Sequence, residues 1–454
     1  MNDTIAALAT PLGEGGISVI RISGENALSI ATGLFHSASS LLPPPPQKVL
    51  FGEVREPESG KVIDEVLLTY FKKPNSYTGE HIVEISGHGG TLVSTTLLQL
   101  ILKQGARLAE PGEFTRRAFI HGRLDLTQAE AVADLIDAAS TKALNAAVSQ
   151  LKGGLSRRIN KLFEQLLAVQ AQLEAAIDFS EEGLTFQSRE TTGRQIEDVK
   201  KEMLLLVQSF RQGKIIREGM RVTLVGKPNV GKSSLLNALM QEDRAIVTDI
   251  PGTTRDTLEE RVRIKDIHIV IIDSAGLRDN PEMIEEEGIR RTRIALEQSD
   301  LALVLFDPSQ PIDGNDELLM NEVGDKLRCV LFNKSDLEQN WTKDSIKNFL
   351  QNEKPISLST KTGNGLENLK EAIYNYAIRG ERVGESIAIT RERHRDHLQQ
   401  AAEALATANS SMVSGCSEEL IAVDITLAME HLGSVLGKTF AEDLLDKIFG
   451  QFCI

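Results

Sequence analysis

The sequence is poor in cysteine, tryptophan and tyrosine, with three, one and four of them among 454 residues. Cys329, Cys416 and Cys453 are far apart, so they form neither a disulfide framework nor a CxxC metal knuckle. A reducing compartment, the cytoplasm, is therefore expected. Met1 to Gly15 has no basic segment followed by a long apolar one, and no secretory leader is expected. No apolar run reaches the ~18 residues that a membrane-spanning helix needs. Cys453 is second from the end, not fourth, so it is no prenylation signal. Excess positive charge is also missing: 50 basic against 65 acidic residues give a net charge of −15. That excludes a generic polyanion binder with a basic face all round, though not a nucleic acid held by a local patch.

Proline is missing from two long stretches. Eight prolines lie between Pro11 and Pro111 and six between Pro228 and Pro355; residues 112–227 and 356–454 have none. An interior proline costs a helix about 3 kcal/mol, so these stretches favour long helices. Leu124, Leu126, Ala129, Val132, Leu135, Ile136 and Ala139 recur at roughly helical spacing, as do Leu162, Leu166, Val169, Leu173 and Ile177. Phe440, Leu444 and Ile448 form an i, i+4, i+8 stripe, widened by Leu445 and Phe449. Two helical tracts thus bracket a proline-bearing middle, which suggests one helical domain interrupted by an inserted one.

What remains is ordinary. Apolar residues are 41% and charged residues 25%, as in globular proteins, and the length suggests about three domains of ~150 residues. The first part of the chain has short β-rich runs at Ser18–Ser23, Val62–Phe71 and His81–Ser86, and an amphipathic helix at Thr91–Lys103. It reads as an α+β domain. Gly87 to Gly90 reads as a site loop or as a plain turn before that helix.

The middle carries the chemistry. Arg221–Val225 is a buried-strand pattern that runs into Gly226-Lys-Pro-Asn-Val-Gly-Lys-Ser233 and then the helix Ser234–Leu239. That is a phosphate loop in its required strand–loop–helix context. Backbone N–H groups of Val230, Gly231 and Ser234 can wrap phosphates at a helix N-terminus. Lys232 is expected to reach the β- and γ-phosphates, and the Ser233 hydroxyl to take Mg²⁺. Ile269–Asp273 is a strand ending in Asp273-Ser274-Ala275-Gly276, which puts Asp273 near the metal and the Gly276 N–H at the γ-phosphate. Cys329–Phe332 is a strand ending in Asn333-Lys334-Ser335-Asp336. A carboxylate there accepts from N1–H and the 2-amino group of guanine, a pair of donors that adenine lacks. Ser359-Thr360-Lys361 follows the strand Pro355–Leu358 and fits the loop that backs the base. Four motifs in this order read as a Ras-like α/β GTP-binding domain. Leu277 stands where Ras-like enzymes place a water-orienting glutamine, so hydrolysis must use other groups.

On these motifs the middle segment resembles the TrmE/Era-like translation-factor-type GTPases, and the whole chain resembles the MnmE (TrmE) family of tRNA modification GTPases. The most specific pieces are Thr248-Asp249-Ile250-Pro251-Gly252-Thr253-Thr254-Arg255-Asp256, Asp273 to Arg278, and Phe452-Cys453-Ile454. The resemblance implies an N-terminal folate-binding-like and dimerisation domain at 1–117, a discontinuous helical domain at 118–218 and 379–454, and a GTPase domain at 219–378. It implies that Asn229, Thr248, Ile250 and Thr253 hold a K⁺ ion beside the phosphates, and that Thr254 joins Ser233 on Mg²⁺. The ion counters transition-state charge as an arginine finger does. Asn229 is otherwise a loop-turn residue. Glu285 matches the family glutamate that orients the attacking water, with Glu286 and Glu287 as rivals in register, or a solvated acidic helix start as the plainer reading. Arg21, Glu84 and Arg123 match the family's contacts to 5-formyl- or methylene-tetrahydrofolate, with surface charges as the alternative. Cys453 matches a functionally implicated cysteine. Family chains usually continue Gly-Lys after Phe-Cys-Ile; the sequence here stops at Ile454.

The expected protein is thus a cytoplasmic, homodimeric, K⁺-stimulated GTPase. With the flavoprotein MnmG it would modify carbon 5 of the wobble uridine of certain tRNAs, using a folate one-carbon unit. A ribosome-assembly GTPase switch and a GTP-regulated folate one-carbon enzyme are the rivals. The basic clusters Arg116-Arg117, Arg157-Arg158 and Arg391 to Arg395 are candidate tRNA contacts, although alternation with Glu392 and Asp396 suits a solvated helix face equally.

Overall fold

The structure is a computed structural model that describes residues 3–37, 43–179, 188–242, 260–272, 285–350, 353–378, 388–440, 442–450 and 452. The chain forms two compact units. One comprises Met1–Asp137, Val148–Lys201 and His397–Ile454; the other comprises Ala138–Ala147 and Glu202–Asp396.

The first unit begins with a seven-stranded sheet. Its strands are β1 (Ile5–Leu8), β2 (Gly15–Ser23), β3 (Phe35–His36), β4 (Val49–Arg55), β5 (Val62–Phe71), β6 (Ile82–Gly89) and β7 (Arg107–Leu108), in the order β3-β4-β5-β6-β2-β1-β7. Alternation decides its faces. Ile20, Ile22, Leu50, Val66, Leu68, Val83 and Ile85 are buried beneath the helices Ala27–Leu34 and Thr91–Lys103. The alternate positions Ile17, Val49, Phe51 and Leu67 are exposed on the opposite side, with Phe51 paired to Leu67. The expected site loop or turn at Gly87–Gly90 is corrected: β6 continues through Gly89, with Gly89 opposite Gly15. A Cβ on Gly89 would lie 2.5 Å from the Gly15 carbonyl oxygen, so the glycine there serves close strand approach rather than a turn.

The proline-free tracts are helical. Gly154–Asp178 buries Leu155, Ile159, Leu162, Leu166, Val169 and Leu173 at three- and four-residue spacing. Glu418–Leu436 presents Ile421, Ile425, Ala428 and Leu432 in the same way and packs against it. Leu126–Ile136 begins at a capping box, in which the Asp125 carboxylate accepts from the Gln128 N–H and the Gln128 side chain returns to the Asp125 N–H. Glu442–Phe449 buries Leu445 and Phe449 against Phe119, Leu126 and Phe452.

The second unit is built on a six-stranded sheet of β8 (Met220–Gly226), β9 (Glu260–Ile264), β10 (Ile267–Ile272), β11 (Leu301–Phe306), β12 (Arg328–Phe332) and β13 (Ile356–Ser357). The order is β13-β12-β11-β8-β10-β9; all pairs are parallel except the edge strand β9. Every residue of β11 is buried, as expected of a central parallel strand covered on both faces. The helices Lys232–Glu242, Gly314–Val323 and Leu366–Ala377 follow β8, β11 and β13. In such a sheet ligands bind beyond the carboxyl ends of the strands, where the loops after β8, β11 and β12 meet.

Candidate nucleotide-binding site

β8 ends at Gly226, and the helix Lys232–Glu242 starts six residues later. The loop between them makes its turn through two left-handed residues, Asn229 at φ 64° and Gly231 at φ 102°. Asparagine tolerates that conformation better than most residues. Gly231 is required for a second reason: a Cβ there would run into the side-chain amide of Asn333. The Lys232 ammonium donates to the Gly226 carbonyl at 2.7 Å and the Lys227 carbonyl at 2.9 Å, which folds it over the loop. Burial holds its pKa below the ordinary lysine value. Ser233 and Ser234 are exposed in the first turn of the helix.

The segment Asn333–Asp336 follows β12. Asn333 is buried, and its amide donates to the Val230 carbonyl at 2.7 Å while its oxygen accepts from the Thr360 N–H at 3.2 Å. One side chain thus joins the phosphate loop, the Asn333–Asp336 segment and the Ser359–Lys361 loop. The Ser335 N–H donates to the Leu358 carbonyl at 3.1 Å, a second tie between the last two. The Ser359 hydroxyl donates to Asp336 Oδ1 at 2.6 Å. That bond is the main reason the Asp336 carboxyl sits below its usual range, with Lys361 and Lys334 adding to it. Asp336 is exposed and ionised, ready to accept from a donor pair on a base.

No motif points to the acidic partners around these loops. The Lys334 ammonium pairs with Asp307 at 2.6 Å, and Lys227 pairs with both Asp313 and Asp316 at 2.9 Å. Burial raises the Asp307 carboxyl, but bonds from Lys334 and Ser309 outweigh it and the net shift is downward. Burial likewise lowers Lys227, and its two aspartates reverse the sign. Only the Asp313–Asp316 capping box leaves a faint local trace in the sequence.

Thr248, Asp249, Ile250, Pro251, Gly252, Thr253, Thr254, Asp273, Ser274, Ala275, Gly276 and Cys453 lie outside the described residues. Glu285 opens the helix Glu285–Gln298, and its side chain is not among those described. Arg21, Glu84 and Arg123 belong to the first unit. Arg21 and Glu84 face each other across β2 and β6, with Arg21 Nε donating to Glu84 Oε1 at 2.9 Å. The guanidinium lies 5.4 Å from the Tyr77 ring centre and 5.6 Å from that of Phe114. Arg123 is exposed, and its side chain passes Gly79, two residues beyond Tyr77.

Among the basic clusters, Arg117 departs from the tRNA-contact expectation. Arg117 is 1% exposed and paired with Asp3, Glu80 and Glu113, so it is a structural ion and not a phosphate contact. Arg116 pairs with Asp446 at 2.9 Å and Arg395 with Asp396 at 2.7 Å. Cys329 is buried in β12, where desolvation pushes its thiol up to about 12. Cys416 lies in the short link between the helices Glu392–Val413 and Glu418–Leu436. Among the described residues no helix is long and apolar enough to cross a membrane, and no cluster of three metal-ligating side chains occurs.

Comparison with known proteins covers the whole chain. The family model described as the MnmE helical domain matches residues 126–453, and that of the GTP-binding protein TrmE N-terminus matches residues 4–123. The tRNA modification GTPase MnmE of Natranaerobius thermophilus is 42% identical over 453 residues, spanning 100% of this chain and 99% of its own. The protein of the same name from Syntrophus aciditrophicus is 43% identical over 456 residues, with the same coverage. Among solved structures, the G domain of the T. maritima FeoB iron transporter aligns with 35% of this chain and 98% of its own at 28% identity, with a TM-score of 0.27.

Proposed function

The chain belongs to the MnmE family of tRNA modification GTPases, and from that premise we propose a potassium-stimulated GTP hydrolase that drives modification of tRNA wobble uridines. GTP hydrolysis in tRNA modification is the family's activity. The observation that carries it to this chain is the Asn333 side chain, which ties the phosphate loop to both guanine-side loops through Val230 and Thr360.

Each site residue has a part. Backbone N–H groups of the loop through Gly231 receive phosphate oxygens at the N-terminus of the Lys232–Glu242 helix, and the Lys232 ammonium neutralises them. Ser233 and Thr254 are the hydroxyls that would hold Mg²⁺, with Asp273 as the family's nearby carboxylate; when bound, the ion would draw charge from the β- and γ-phosphate oxygens. Ser233 lies exposed in the first helical turn, and a hydroxyl is the kind of oxygen donor that suits a hard cation. Asp336, fixed by Ser359, accepts the two N–H donors of guanine. Asn229, exposed and left-handed in the phosphate loop, would offer its amide oxygen to K⁺ together with Thr248, Ile250 and Thr253. Glu285 would orient the attacking water in place of the glutamine that Leu277 replaces.

The N-terminal module (1–117) would bind the folate. An acidic side chain suits pterin N–H groups and arginines suit glutamyl carboxylates, so the Arg21–Glu84 pair beside Tyr77 and Phe114 fits such a ligand. The open sheet face of Ile17, Val49, Phe51 and Leu67 supports a homodimer through that module. The helical module (118–218 and 379–454) would bring Cys453 to the folate. MnmG would supply the flavin and complete the cytoplasmic assembly on tRNA.

Nucleoside analysis of tRNA from a strain lacking this chain, with and without its return, tests the reading: wobble uridines should lose their carbon-5 group and regain it. Unchanged uridines would overturn it. Asn229→Gly tests the K⁺ role, because glycine keeps the left-handed turn without strain while removing the amide. GTP binding should persist and K⁺ stimulation should vanish.

A further inference from the structure

β11 lies between β8 and β12, and its last residues pair with the ends of both: Leu305 with Gly226 and Phe306 with Phe332. The segment that leaves β11, residues 307–316, therefore emerges between the phosphate loop and the guanine segment. It sends acidic side chains to both sides. Asp307 Oδ2 takes the Lys334 ammonium at 2.6 Å; Asp316 Oδ2 takes the Lys227 ammonium at 2.9 Å, with Asp313 supporting it. Both principal carboxylates are buried, at 8% and 2% exposure.

The segment is itself anchored. The Ser309 N–H and hydroxyl hold Asp307 Oδ1 at 3.1 and 2.6 Å, and the Asp313 N–H holds Asp316 Oδ2 at 3.0 Å. From the other side, the Asn340 N–H donates to the Pro308 carbonyl at 2.7 Å and the Trp341 indole N–H to the Gln310 carbonyl at 2.6 Å.

We propose that residues 307–316 form an acidic strap in which Asp307 and Asp316 are positioning residues for GTP, setting the spacing between the phosphate loop and the guanine segment. This rests on the reading of the site as a GTPase centre. Neither aspartate touches the nucleotide; each acts through a lysine of a loop that does. Lys227 and Lys334 are the two residues that follow Gly226 and Asn333, so each pair restrains its loop beside the strand end. Pre-set loops bind with less ordering cost, so the strap acts on affinity and leaves the chemical step alone.

The test compares the full-length chain with Asp307→Asn, Asp316→Asn and Lys227→Met, measuring the KM and kcat of GTP hydrolysis and the binding of a fluorescent GDP analogue. Lys227→Met severs the strap while leaving the Asp313–Asp316 capping box intact, so it serves if a buried aspartate variant fails to fold. Each variant should raise KM and the GDP dissociation constant about tenfold at near-constant kcat. Combining Asp316→Asn with Lys227→Met should cost no more than Lys227→Met alone, because removal of the lysine already ends its pairing with Asp316. If the unaltered chain binds GTP and the variants match it, or lose kcat and thermal midpoint without a KM shift, the strap is overturned alone. If the unaltered chain does not bind GTP, the GTPase reading falls with it.

Discussion

Asn333→Ala gives the sharpest test of how the nucleotide site is assembled. The side chain is 1% exposed, and its two bonds reach separate loops, to the Val230 carbonyl at 2.7 Å and from the Thr360 N–H at 3.2 Å. Alanine removes both partners at once. A buried polar group left unpaired costs about 1–3 kcal/mol, and the longer Thr360 bond belongs near the low end, so the loss is about 2–4 kcal/mol. Where that cost falls can be reasoned out. In the nucleotide-free chain the two loops can relax and bring Val230 O and Thr360 N into contact with water, recovering much of it. With guanine and phosphates bound, the loops are fixed and the groups stay orphaned. The penalty therefore appears mainly in binding, as ~30- to 1000-fold weaker GTP and GDP affinity at 1.4 kcal/mol per decade. Equilibrium displacement of a fluorescent GDP analogue measures this, and a thermal melt of the nucleotide-free chain should show a smaller change. Affinity within about threefold of the unaltered chain would refute the bridging role of Asn333.

Asp336→Asn should invert base preference. The Ser359 hydroxyl at 2.6 Å holds Oδ1, so the amide nitrogen faces the base; guanine's 2-amino group then meets a donor, whereas the 2-carbonyl of xanthine meets a partner. GTP should weaken by about 10²-fold or more and XTP should strengthen, and a variant that still prefers GTP would sink the assignment. Arg117→Met should destabilise the first unit by about 1.5–3 kcal/mol in urea unfolding, since Glu80 loses its arginine and the buried Glu113 keeps only Arg107; a loss below ~1 kcal/mol would contradict the structural role. His88 and Asp64 lie 2.6 Å apart, and that bond raises the imidazole pKa above its ordinary 6.5. The stabilisation is then full below about pH 6.5 and lost as pH rises through the folded value. The melting difference between the unaltered chain and His88→Ala should thus shrink as pH rises above about 6.5, and a constant difference would argue against the pair.

The sequence declared its local structure well. Val62–Phe71 and Thr91–Lys103 are legible to their last residues because period-two and helical apolar spacing each leave a clear boundary. The strands at β8, β10 and β12 are apolar runs that end at polar motifs, so strand and site are announced together. Gly87–Gly90 was misread for a physical reason. Glycine marks a turn and a close backbone approach equally, and only the pairing of Gly89 with Gly15 separates the two.

Charges were legible only where a motif fixed their neighbours. Lys232 and Asp336 are interpretable because strand ends place them; Arg117 in an Arg-Arg pair reads as surface until Asp3, Glu80 and Glu113 close around it from elements 4 to 114 residues away. The same holds for Asp307 and Asp316. Nothing in residues 307–316 looks like a nucleotide motif, and the segment contacts the site only because β11 is threaded between β8 and β12. That strand order, not any local pattern, makes two aspartates neighbours of two loop lysines. A motif supplies the groups that meet the nucleotide, while the topology supplies the groups that hold the motif. The residues that set affinity in this fold should therefore be sought at the carboxyl end of the strand between the two motif strands, where sequence alone gives no warning.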